Sequence, residues 1–151
     1  MNGNELNTHD SQRQIVVFGL GSEEYALTIS DVQEIIRYVE PRAVASDSPW
    51  IRGVISLRGR IIPVCDLATR LGVTRAERAP AKIIVVEAGS RTVGLIVDDV
   101  TEVLTVSEDD IERLRVSANA AEQSIVKVGE RLLVLLASDA VFGSSEIEYA
   151  V

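Results

Sequence analysis

Residues 15–36 and 83–104 are two versions of one segment. Shifted by 68 positions they align without a gap, and eight of the 22 pairs are identical. These are Ile15/Ile83, Val17/Val85, Gly21/Gly89, Ser22/Ser90, Leu27/Leu95, Asp31/Asp99, Val32/Val100 and Glu34/Glu102. Phe18/Val86, Tyr25/Val93 and Ile36/Leu104 keep apolar character. Later hairpins around Arg58-Gly59 and Gly129 correspond only loosely. A duplication of this kind limits the chain to architectures made of two similar halves. With 151 residues in all, neither half can bury an adequate core alone. The two must share one.

The residue types decide what the halves are made of. There are 21 Val and 14 Ile against 13 Leu and 14 Ala. β-Branched side chains lose rotamer freedom in helices and pack well on pleated sheets, so the composition is β-rich. The pattern predicts hairpins: Ile15–Leu20 with Tyr25–Ile29, Gly53–Leu57 with Arg60–Cys65, and Lys82–Ala88 with Arg91–Asp98. A strand over Val100–Val106 and a hairpin of Ile125–Val128 with Leu132–Leu136 complete the set. Pro63 has no N–H for a ladder, which predicts an edge or bulged strand.

Short helical turns are expected at five places. Ser30 with Gln33 reads as a capping box, and Ser48-Pro49-Trp50-Ile51 as one turn with Ser48 as N-cap. Asp66 caps a helix that Gly72 stops. Ser107 precedes three acidic residues, which suit a helix N-terminus. A last turn is expected over Ser138–Phe142, closed by Gly143. Residues 1–14 and 144–151 are expected to be tails, and the halves to lie near 15–80 and 82–143, with an exchange of strands between them left open.

Catalytic groups are scarce. The only histidine, His9, lies in the polar N-terminal segment, so no Ser–His pair and no His-based metal cluster can form. Cys65 is the only cysteine and sits in an apolar run, which reads as a small buried hydrophobe in a reducing cytosol. Asp98 and Asp99 are neighbours on an extended chain and point to opposite faces, so they make no acid/base pair. The expectation is a protein that is not an enzyme and holds no cofactor or metal. A net charge of −8 argues against nucleic acid, and no apolar run reaches membrane-spanning length.

Binding features are richer. Residues 1–36 carry one basic and six acidic residues, 37–91 ten basic and five acidic, and 92–151 four basic and twelve acidic. Such segregation can orient docking with charged partners. Arg58 and Arg60 project from a tight turn in which Gly59 supplies positive φ. Trp50 either closes one end of a barrel or anchors a partner.

Three ordered motifs carry a family resemblance. The run Gly53-Val54-Ile55-Ser56-Leu57-Arg58-Gly59-Arg60-Ile61-Ile62-Pro63-Val64-Cys65-Asp66-Leu67 resembles the G-V-x-N-L-R-G-x-I-x-P-V-x-D-L signature of the CheW family of bacterial chemotaxis coupling proteins. Ser56 departs from its usual Asn. Val32–Arg37 is similar to the family's V-x-E-I-I segment, and Gly94–Leu104 to its G-x-x-V-D-x-V-x-E-V stretch.

The resemblance implies an all-β fold of two five-stranded SH3-like β-barrels packed on a shared hydrophobic core, with short helices. It implies an adaptor that couples chemoreceptor cytoplasmic tips to the regulatory domain of the histidine kinase CheA, in the cytoplasm at receptor arrays beneath the inner membrane. Kinase pathways that control type IV pili or gliding are the alternative. On the matching positions, Val32, Glu34, Gly53, Arg58 and Val100 are the expected partner contacts. Arg58 would supply charged recognition, Val32 and Val100 an apolar groove, and Gly53 close backbone approach.

Overall fold

The computed structural model describes residues 11–74, 80, 82–119 and 122–137. They form eleven strands: β1 (Gln12–Leu20), β2 (Glu23–Thr28), β3 (Val32–Arg37), β4 (Ile51–Leu57), β5 (Arg60–Asp66), β6 (Lys82–Ala88), β7 (Arg91–Val97), β8 (Asp99–Ser107), β9 (Ile111–Leu114), β10 (Gln123–Val128) and β11 (Arg131–Leu136). One α-helix, α1 (Leu67–Leu71), follows β5, and 3-10 turns occupy Ile29–Asp31 and Glu108–Asp110. The turn expected over Ser138–Phe142 lies outside the described residues.

Two sheets contain all the strands. One has the order β3-β6-β7-β5-β4 and the other β8-β1-β2-β11-β10-β9. Exchanging β3 for β8, β6 for β1, β7 for β2, β5 for β11 and β4 for β10 turns the first order into the second, with β9 added. The registers follow the same exchange, for Val64 pairs Gly94 as Leu135 pairs Ala26. Each early hairpin therefore sits in the sheet completed by the other half of the sequence. The fold is all-β, two SH3-like barrels with swapped hairpins.

That exchange explains the continuous apolar runs. In β6, Ile83 and Val85 face the core of the first barrel with Ile55, Ile62, Val64 and Ile96. The alternate residues Ile84, Val86 and Ala88 face a cluster between the barrels. In β1, Ile15 and Val17 enter the second barrel with Ala26, Val126 and Leu133, while Phe18 and Leu20 join the central cluster. Strands buried on both faces read as unbroken hydrophobic runs. The shared core joins Phe18, Leu27, Leu67, Leu95 and Val97, and Trp50 packs against it with the Arg70 guanidinium 4.8 Å from its ring centroid.

Several local expectations need correcting. The Ile29–Asp31 turn has Thr28, not Ser30, at its N-cap, without a side-chain cap bond, and Gln33 donates to Glu87 instead. Residues 48–51 do make the single turn expected there, closed by Ile51 N–H to Ser48 C=O at 3.2 Å. Pro63 lies in β5 between β4 and β7, so its strand is not an edge, while the β4–β5 ladder does break register at Ile51/Gly53, in keeping with the bulged alternative. The parallel ladder with β7 starts one residue later, at Val64, and the missing N–H falls just outside it. Asp66 and Ser107 cap as expected, accepting from Thr69 and Asp109 backbone N–H, and Gly72 ends α1 in the left-handed region.

Candidate functional interaction surface

The β4–β5 turn has two residues, both with positive φ: Arg58 at 53° and Gly59 at 79°. Opposed right-twisted strands favour this type I′ geometry. The sequence accounted for Gly59 alone. Arg58 is the only described non-glycine residue in the left-handed region, which costs an L-residue about 1–2 kcal/mol.

Glu34 holds Arg58 there. The guanidinium donates through Nε to Oε1 at 2.8 Å and through Nη2 to Oε2 at 3.0 Å, a bidentate pair. Its strands lie far apart in the sheet order, because Glu34 is on terminal β3 and Arg58 leads out of terminal β4. Their side chains meet because the sheet curls into a barrel. The hydrogen bond from Arg58 lowers the Glu34 carboxyl below its ordinary value, and the same bond raises the guanidinium. The Arg58 side chain remains 75% exposed, so the pair is presented to solvent.

Gly53 plays an internal part. It is buried, with φ at 150°, and a Cβ there would stand 2.0 Å from the Arg42 carbonyl oxygen. Arg42 and Val54 exchange backbone hydrogen bonds of 2.9 Å beside it, tying the chain after β3 to β4. The close approach that Gly53 allows is thus to this chain's own backbone. Val32 and Val100 are half-buried and both pack against the central cluster, one from each barrel.

The duplication repeats the surface. Glu102, the counterpart of Glu34, accepts from Arg131 Nη2 at 2.8 Å, and Glu24 takes the same guanidinium. The bonds to Glu102 and then Glu24 raise Arg131 above its ordinary value. Sequence reasoning missed Arg131 and Glu24, although an Arg after the second hairpin turn and the Glu34/Glu102 repeat were available as signals. Exposed apolar side chains recur too: Ile35 with Val103, and Ile61 with Leu132. Ile61 is 75% exposed and Leu132 69%, well beyond ordinary burial for such residues. A shallow trough of 470 Å³ lies beside Ile61, with Val39, Val54 and Ile55 in its wall.

The surfaces differ in sign. Among the described residues, 32–97 carry eight basic and five acidic side chains, whereas 11–31 and 98–137 together carry five basic and twelve acidic. Among those residues, no cluster of three or more His, Cys, Asp or Glu is placed to hold a metal ion. No described helix is long and apolar enough to cross a membrane.

Comparison with known proteins fits this architecture. The profile of the CheW-like domain matches residues 14–146. The chain belongs to the CheW family. Chemotaxis protein CheW of Rhizobium meliloti (strain 1021) is 34% identical over 143 residues, covering 91% of this chain and 92% of that protein. Chemotaxis protein CheW of Bacillus subtilis (strain 168) is 33% identical over 143 residues, at the same coverages of 91% and 92%. The crystal structure of the scaffolding protein TtCheW from Thermoanaerobacter tengcongensis superposes with a TM-score of 0.80 at 33% identity, covering 91% of this chain and 97% of that one. The matched residues 14–146 therefore span both barrels and take in positions 34 and 58.

Proposed function

We propose that this CheW-family chain is a non-catalytic adaptor that couples chemoreceptors, the methyl-accepting chemotaxis proteins, to the histidine kinase CheA. Its place would be the cytoplasmic face of the inner membrane, within receptor arrays. The observation that carries the reading is the duplicated surface. Each barrel offers an Arg–Glu pair, Arg58–Glu34 on one and Arg131–Glu102 on the other, and each also exposes aliphatic side chains, Ile35 and Ile61 on the first and Val103 and Leu132 on the second. Two such faces suit a protein that holds two partners at once, and their different charge would keep the partners distinct. Val32, Glu34, Arg58 and Val100 are assigned to partner contact, and Gly53 to supporting the β4 edge beneath them.

Pull-down of the native protein from its own cells tests this. Recovery of a CheA-type histidine kinase together with a coiled-coil chemoreceptor is the expected result. Recovery of neither would overturn it. The long matches to chemotaxis proteins favour this pathway over pilus or gliding control.

A further inference from the structure

Asp98 stands where the chain leaves β7 in one sheet and enters β8 in the other. Its backbone N–H donates to Gly19 C=O at 3.1 Å, and its Oδ2 accepts from Gly21 N–H at 2.6 Å. The tip of the β1–β2 hairpin, part of the second barrel, is thereby tied to the end of a first-barrel strand. The segment leaving α1 also crowds this tip. A Cβ on Gly21 would stand 2.1 Å from the Thr74 carbonyl oxygen and 3.8 Å from a Val73 methyl.

The repeat supplies an internal control. Gly89 is the counterpart of Gly21 and has nearly the same φ, 66° against 62°. Yet a Cβ on Gly89 would meet no described atom within 4 Å. The turn conformation alone therefore does not require such packing. Asp98 also keeps Oδ1 buried without a hydrogen-bond partner among the described residues, an arrangement that costs stability.

We infer that Asp98 is a one-sided latch on the seam between the barrels, holding the β1–β2 tip against Val73 and Thr74. Behind that tip lie Phe18 and Leu20 of the shared core, with Val73 packed against the same cluster. The latch governs local opening there, since the extensive central cluster holds the rest of the seam.

Native-state hydrogen exchange on the full chain tests this by resolving Gly21, Val73 and the core amides of β6 and β7. In Asp98→Ala, exchange at Gly21 and Val73 should rise tenfold or more while β6 and β7 stay protected. Asp98→Asn keeps an acceptor for Gly21 N–H and should remain within threefold of the parent. Gly21→Ala, which drives a Cβ into the Thr74 carbonyl, should open Val73 as Asp98→Ala does. Unchanged exchange at Gly21 in Asp98→Ala would overturn the proposal, as would equal acceleration of all amides. If Asp98→Ala does not fold, the Gly21→Ala result decides. These readouts involve no partner, so they stand apart from the adaptor assignment.

Discussion

Arg58 and Glu34 form a bidentate ion pair between the β4–β5 turn and β3, and the arginine reaches it from a left-handed backbone. The pair closes one barrel and leaves the guanidinium exposed to solvent, where the proposed partner would meet it. Its two roles can be separated. Arg58→Glu should break the pair and lower partner affinity by ~10-fold or more, the range of a contact hot spot. Combining it with Glu34→Arg restores an ion pair with reversed polarity, so thermal stability should recover while partner affinity does not. Calorimetric titration and thermal melts on the parent and the two variants check this.

The acid response of the same pair has a definite sign. Glu34 is held below its ordinary value by the hydrogen bond from Arg58. A depressed carboxyl contributes stability above its unfolded value and loses it as pH falls through the folded one. The contribution is small because the pair is exposed. Urea midpoints of the parent should therefore fall slightly more than those of Glu34→Gln between pH 7 and pH 3. Parallel curves would contradict the depressed carboxyl.

Two glycines in one hairpin should respond differently. Gly53→Ala drives a Cβ into the Arg42 carbonyl, whereas Gly59→Ala meets open space and pays only for positive φ. The expected losses are about 3 kcal/mol or more for the first and about 1–2 kcal/mol for the second. Urea unfolding of both variants measures the difference.

Truncation in the shared core should weaken both barrels together. Leu95 is 1% exposed and belongs to the cluster between them, so Leu95→Ala should cost about 2–5 kcal/mol. The protein should still unfold in one transition. A second calorimetric peak in that variant would mean that the barrels hold their folds separately.

Much of this was legible because it is local. Asp66 and Gly72 announce α1 by cap chemistry, and Gly21-Ser22 and Gly89-Ser90 announce hairpins by turn chemistry. The repeat announced two like halves, and its Glu34/Glu102 pair was an unused signal for the second polar site. What the sequence could not display depends on partners distant along the chain. β9 is only four residues long, and its pairing with β10 defines it. Ser30 does not cap because the turn begins one residue earlier, at Ile29 with Thr28 as its N-cap, and Gln33 bonds Glu87 on the neighbouring strand. The meeting of Arg58 with Glu34 exists only once the sheet has curled, and the crowding of Gly53 exists only once Arg42 lies across it.

The adaptor assignment rests on coupling, and reconstituted kinase activity measures coupling directly. Receptor-containing membranes and a CheA-type kinase from the same organism are combined with and without this protein, and autophosphorylation is followed. The expected result is a receptor-dependent change in kinase rate that requires the protein and is lost in Arg58→Glu. A kinase rate that ignores the protein at every receptor density would contradict it.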